Sequence, residues 1–328
     1  MTVTMTRADR AYYVAQQRIV RDATDTAQSA WSALDPADLT GSWAEARPVI
    51  VDAVEQAQAD AVVLAPRYIA GTLAAAHAVS RPLGELATAA FVGRATNGLP
   101  LSSLMDFAFS YYRRALALHA PPSEAKAMGL ARLLRYTSTE VADSGRLSVH
   151  VGSVLEPEVA GYERVVHLPA CGRCIQLAGR LYRYSTGFLR HPRCDCSMKP
   201  VTRDQWHTQR PANTPAALFA AMTRAQQDQA FGPGGAEAIR AGADLSRVVN
   251  ARRKGSVYVA GGREYTRDST TARGVGRQLG QVNRKRGQRY RRSSTARPTP
   301  AQLVNAARDE NELVNQLRRF GYITDRTN

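Results

Sequence analysis

Four cysteines constrain the fold of this chain more than any other feature. They fall as Cys171-Gly-Arg-Cys174 and Cys194-Asp-Cys196, with His191 three residues before the second pair. A C-x-x-C turn presents two thiolates from one tight knuckle, and Gly172 is expected to ease that turn. A second close pair about twenty residues on completes a tetrahedral shell. The spacing therefore predicts a zinc site drawn from Cys171, Cys174, His191, Cys194 and Cys196, five candidates for four places. A four-thiolate set and a set in which His191 replaces one of the last two cysteines both satisfy it. Neither leaves an obvious open coordination position, so the metal is expected to be structural. Disulfides or free thiols are the competing reading. Met1 to Arg10 contains no apolar core of signal-peptide type, so the chain is expected to remain where thiols stay reduced.

The rest of the sequence is organised around this cluster. Residues 1–145 read as an elongated helical region. Asp9 to Leu34 and Glu45 to Ala65 are rich in Ala, Gln and Glu. Ser42 with Glu45 fits a capping box close to Pro48, and Val51, Val54, Ala57, Ala61 and Leu64 recur at helical spacing. Ser102 to His119 and Ser123 to Ala142 are two further helices. Aromatics are only 7% of the 328 residues, so the core is expected to lean on Ala, Val and Leu. Residues 146–210 form the cysteine-bearing module, with short strands expected at Leu147–Val151, Tyr162–Leu168 and Leu181–Tyr184. Short helices follow over 211–253, starting at Thr214-Pro215 and broken over Phe231–Gly235. The segment 254–298 reads as a basic, flexible tract. The segment 299–328 is helical again, with Thr299-Pro300-Ala301-Gln302 as a capping box. Leu313, Val314, Leu317 and Phe320 then form a stripe closed by Gly321. The fold class is α+β.

Charge is concentrated. The chain carries 44 Lys/Arg and 28 Asp/Glu, a net of +16. Fifteen of the basic residues and only two acids, Glu264 and Asp268, lie between Arg247 and Arg297, a net of +13 that leaves +3 for the remainder. Arg284, Lys285, Arg286, Arg289, Arg291 and Arg292 fall within a span of nine positions, with Tyr290 among them. Clustered cations neutralise phosphates, and a tyrosine can stack on an exposed base, so these seven residues are the candidate nucleic-acid contacts. With no groove-reading motif, such binding is expected to be non-specific. The bland reading is a solvated arm, or one that docks on an acidic protein surface.

Catalytic readings find little support. A zinc deaminase needs H-x-E upstream of P-C-x-x-C, whereas the approach here is His167-Leu168-Pro169-Ala170-Cys171 and no H-x-E occurs. His167 reads as a strand residue. No H-E-x-x-H, Walker loop or G-x-S-x-G is present. His77, His119, His150 and His207 stand alone and read as helix-face or surface residues. No catalytic residue is assigned. A zinc-containing, nuclease-like DNA-processing enzyme is the alternative. It would need a general base near the cysteines, where Glu156, Glu158 and Glu163 are the nearest upstream acids. No stretch reaches the roughly 18 apolar residues of a membrane helix.

Cys171-Gly-Arg-Cys174, Leu177-Ala-Gly179 and Gly187-Phe-Leu-Arg-His191-Pro-Arg-Cys194-Asp-Cys196 together resemble the MuF-like phage head morphogenesis family, whose pattern runs C-x-x-C, L-x-G, H-P-x-C-x-C. Gln226–Gly235, Ala238–Arg253 and Leu317–Ile323 resemble the form found in actinobacterial phages. Asp195 departs from the pattern, since many relatives carry Arg or another residue there. The resemblance implies a minor capsid protein without enzymatic activity, made in the host cytoplasm. It would lie inside the virion head near the portal vertex, with the portal protein, other capsid proteins and packaged double-stranded DNA as partners.

Overall fold

The computed structural model describes residues 6–186, 191, 194–208, 211, 213–268, 282–283 and 292–323, of which 282–283 and 292–295 are described by backbone alone. The fold is α+β: long helices dominate the N-terminal half, and the two sheets are small and antiparallel. The chain divides into two compact units that interleave in sequence. One takes residues 6–167 and 179–211, the other residues 168–178 and 213–323.

The larger unit is built on four helices, α1 (Arg7–Ser32), α2 (Leu39–Ala75), α3 (Leu101–Ala117) and α4 (Pro122–Val154). Helix α1 opens on a capping box in which Thr6 and Asp9 satisfy each other's backbone N–H groups,. Helix α2 begins one turn before the expected Ser42/Glu45 box. The Asp38 carboxylate accepts from Gly41 N, and the Ser42 hydroxyl donates to Asp38 O inside the helix. Pro48 and Pro66 therefore lie within a 37-residue helix. Each removes a backbone donor, but both sit on its exposed face, and burial of the opposite face against α1 and α4 carries the helix through them,.

The core leans on Ala, Val and Leu as expected, with aromatic rings set among them. Trp31 and Tyr112 are almost fully buried, and Trp43 stacks on Phe109 at 4.7 Å. Alanines line the approaches and leave room for these rings. Gly129 is where α4 meets them: a Cβ there would stand 2.5 Å from the Trp31 ring.

The boundary expected at residue 145 and the strand expected at Leu147–Val151 do not exist, because α4 runs unbroken to Val154. The two glycines that flank this run are points of close packing. A Cβ on Gly145 would stand 2.4 Å from the Gln16 amide, and one on Gly152 would stand 2.6 Å from Ile69 Cδ1. The strands come later. β1 (Val159–Val165) is central in a three-stranded antiparallel sheet, flanked by β2 (Leu181–Tyr182) and by β3 (Ser197–Thr202), which the sequence patterning did not reveal. Tyr12, Tyr68, Ile69, Val149, Tyr162 and Tyr182 form the apolar cluster that joins helices to sheet. His77 and His119 adopt left-handed backbone at φ 58° and 62°, just past the ends of α2 and α3. The next amides, of Ala78 and Ala120, donate back to Leu73 O and Ala115 O, which closes each helix end.

The smaller unit contains α5 (Gly172–Gln176), α7 (Pro215–Ala221), α8 (Arg224–Phe231), α9 (Pro233–Arg240) and α10 (Leu245–Ala251); the short α6 (Gln205–Thr208) belongs to the larger one. Thr214 caps α7 as expected. The break expected over Phe231–Gly235 narrows to Gly232, at φ 73°, because Pro233 already starts α9. The tract expected to be flexible carries regular strands at both ends. β4 (Val257–Ala260), β5 (Arg263–Asp268), β6 (Val282–Asn283) and β7 (Arg292–Pro298) pair in the order β4-β5-β7-β6.

Thr299 caps α11 (Pro300–Ala306), but the reciprocal half of the expected box is missing. The Gln302 side chain instead accepts from Glu264 N, tying the helix start to β5. In α12 (Glu310–Arg319), Leu313 and Leu317 are buried with Leu303, Val248 and Tyr322, and Phe320 packs against them. Gly321 takes the left-handed position at φ 71°. The stripe thus docks on the chain's own body. Leu317→Asp should release α12, because burying an unpaired carboxylate in that cluster costs several kcal/mol. Limited proteolysis should then remove the C-terminal segment well before the helical unit; unchanged protection of residues 299–323 would refute the docking.

Candidate metal centre

Cys171 precedes the single turn of α5 and accepts from Ile175 N, while Cys174 sits inside that turn. Gly172 is not in the left-handed region, so its role differs from the expected easing of the turn. A Cβ there would stand 3.0 Å from Ala230 O and from the Phe231 ring, so the glycine allows α5 to seat against the end of α8. Cys194 and Cys196 lie just before β3 and flank the exposed Asp195. Cys174, Cys194 and Cys196 are 3%, 3% and 2% exposed, and Cys171 and His191 are half-buried.

All four cysteines are thiols. Ligand atoms of Cys171, Cys174 and His191 lie within 4.8 Å of one another, as do those of Cys174, Cys194 and Cys196. Tetrahedral thiolates around a zinc-sized ion at about 2.3 Å stand about 3.8 Å apart, so small side-chain adjustments suffice to bring such a set to bonding distance. The donors are soft thiolates and an imidazole, the chemistry that suits zinc and similar thiophilic ions. The cluster is able to hold a metal ion, and all five residues singled out by spacing belong to it. Among the described residues no other group of three or more such ligands comes together.

Two arginines that sequence reasoning missed complete the surroundings. Arg164, on β1 and 1% exposed, donates from Nη2 to Cys194 Sγ at 3.7 Å and to Cys196 Sγ at 3.6 Å. Arg146, on α4, donates from Nη1 to the carbonyl oxygens of Cys194 at 2.9 Å and Cys196 at 3.3 Å. Its other edge is held by the Asp143 carboxylate. Burial pulls the Arg146 pKa down, opposed by the negative charge of Cys194.

His167 lies just beyond β1 and outside the metal-ligand groups. Its Nε2 is 2.9 Å from Ser197 Oγ, and its ring stacks on Tyr13 at 3.8 Å. Burial lowers its pKa from 6.5 to about 4. The unfolded chain therefore takes up this proton first, and folding stability attached to the neutral ring is lost as pH falls from about 6.5 through about 4. The loss is on the order of 3 kcal/mol at most. His167→Gln should show a shallower fall in thermal stability between pH 7 and 4 than the wild type; parallel curves would exclude this histidine as a contributor.

Glu156 and Glu163, two of the acids nearest the cysteines in sequence, lie outside the metal-ligand groups. Glu156 accepts from Ser80 Oγ and from Arg81 N, holding the chain that follows α2. Glu163 is buried on β1 opposite Lys199 and Leu181. Of the candidate nucleic-acid residues, Arg284, Lys285, Arg286, Arg289, Tyr290 and Arg291 lie outside the described residues. Arg292 is placed by its backbone as the first residue of β7. No described helix is long and apolar enough to cross a membrane. Comparison with family models, curated proteins and solved structures finds no match for the chain.

Proposed function

We propose that this chain is a minor capsid protein of the phage head morphogenesis type, associated with the portal inside the head and stabilised by one structural zinc. The observation that carries the reading is the buried cysteine cluster. Its ligands are the residues of the C-x-x-C and H-P-x-C-x-C motifs, and a thiolate-rich donor set of this kind suits a closed structural site better than a hydrolytic one. When bound, zinc would supply cross-linking of the Cys171–Cys174 turn to the Cys194–Cys196 arm. The +13 segment is the part of the chain suited to packaged DNA, through phosphate neutralisation alone.

Co-expression with the portal protein of the same genome tests the proposal. The expected result is that the two co-purify and that the complex withstands a wash that removes nucleic acid. Failure to associate, together with Mg²⁺-dependent plasmid cleavage abolished by a single substitution, would replace it with the DNA-processing reading.

A further inference from the structure

The strongest unassigned feature is the polar bridge between the cysteine arm and helix α4. Arg146 is 8% exposed and Asp143 4%. One edge of the Arg146 guanidinium binds the Cys194 and Cys196 carbonyls, and the other binds Asp143. Asp143 also accepts from Thr96 Oγ1 at 3.2 Å, and Thr96 donates to Glu140 through its N–H at 2.7 Å and its hydroxyl at 2.8 Å. The α4 segment Glu140–Arg146 thus links the metal-ligand arm to the segment that precedes α3. On the sheet side, Arg164 reaches both sulfurs of the same arm.

We infer that Arg146 and Arg164 are positioning residues for the Cys194–Cys196 arm and that, through Arg146, metal loading is coupled to the order of helix α4. The inference rests on the cluster holding a metal. The planar guanidinium of Arg146 spans two carbonyls and a carboxylate at once, which the single point charge of a lysine does not reproduce. The two carbonyls belong to residues that a bound metal fixes. When the arm is released, Arg146 loses both acceptors while remaining a buried cation, an arrangement that costs free energy until the helix turn opens to water. Arg164 works differently, because its N–H groups face the sulfurs. Donors to coordinating thiolates offset their negative charge and tune the metal–sulfur bond. The two residues therefore have separable signatures.

The experiment uses the full-length chain loaded with Zn²⁺ or Co²⁺. Competition with a chromophoric chelator measures affinity, the sulfur-to-cobalt charge-transfer band reports on the thiolates, and hydrogen exchange follows residues 140–150. Arg146→Gln and Arg164→Met should each weaken metal binding 10- to 100-fold, and Arg146→Lys should recover only part of the loss. The cobalt band should shift in Arg164→Met and stay in place in Arg146→Gln. Chelation of the wild type should speed exchange over 140–150, and Arg146→Gln should exchange quickly whether or not metal is bound. Wild-type metal binding with unchanged affinity in both variants, or exchange over 140–150 indifferent to chelation, would overturn the inference alone. A wild-type chain that takes up neither ion would overturn the metal reading as well. Far-UV helicity equal to the wild type identifies the variants that have folded, and Arg146→Lys supplies the comparison if Arg146→Gln has not.

Discussion

Cys174→Ser should eliminate stoichiometric zinc from the purified chain and unfold the segment around Cys194 and Cys196, while Asp195→Asn should leave both intact. Cys174 is the one residue common to both ligand groups, so its loss leaves neither complete. A serine hydroxyl is a hard, protonated oxygen at neutral pH and does not replace a thiolate on a soft site. Among the described residues between Tyr182 and Ser197 there is no strand or helix, so no regular element there replaces a metal cross-link. Structural zinc in finger-like peptides contributes roughly 10–16 kcal/mol of apparent binding energy, more than the net stability of most domains. Metal analysis of reduced protein together with near-UV circular dichroism measures both effects. A wild-type preparation with well under one zinc per chain, or a Cys174→Ser variant that retains it, would sink the expectation.

Affinity for duplex DNA should fall about 10³- to 10⁵-fold between 50 and 200 mM salt if six to ten side chains of the basic segment contact phosphates. Replacing Arg284, Lys285, Arg286, Arg289, Arg291 and Arg292 together with Gln should remove much of that slope without changing zinc content. Unrelated duplexes should bind alike, because phosphate contacts position a protein without reading bases. An acidic portal surface as the partner of this segment predicts the reverse: weak DNA binding even at low salt, and portal association lost in the same variant. Both bindings measured on one variant separate the accounts. DNA affinity unchanged by the six substitutions would end the DNA reading.

Local spacing proved a better guide to the metal cluster than to the limits of the elements around it. Two close cysteine pairs are a short-range pattern, and the structure brings their side chains together as the pattern requires. The run Leu147–Val151 was misplaced as a strand because the glycines that flank it, Gly145 and Gly152, look alike in one dimension whether they break a helix or let two helices touch; the difference lies in Gln16 and Ile69, more than eighty residues away in sequence. Ser42 and Glu45 match a capping box, yet Asp38 starts the helix one turn earlier. Strands β4 and β5 were hidden because apolar alternation is absent: β4 grows more exposed along its length, and the buried positions of β5 are the polar Thr266 and Asp268. Arg146 and Arg164 were illegible for a related reason. Arginines usually reach solvent, and only the folded chain shows these two facing sulfur and carbonyl groups.

The interleaving of the two units bears on the order in which the protein can be made. Residues 168–178 leave the larger unit after β1 and return at Gly179, whose amide donates to Arg164 O on that strand. The excursion packs with residues that the ribosome supplies only later, from Asn213 onward. At about 5–20 residues per second, the roughly 145 residues between Ala178 and Ile323 take on the order of 10–30 s to emerge. The strands on either side of the excursion can pair during that interval, while the short C-x-x-C helix waits for its own packing surface. With zinc withheld, a nascent chain arrested before residue 213 should therefore protect the four long helices from protease and leave 168–178 open to cleavage. No single cut in the chain yields both units whole.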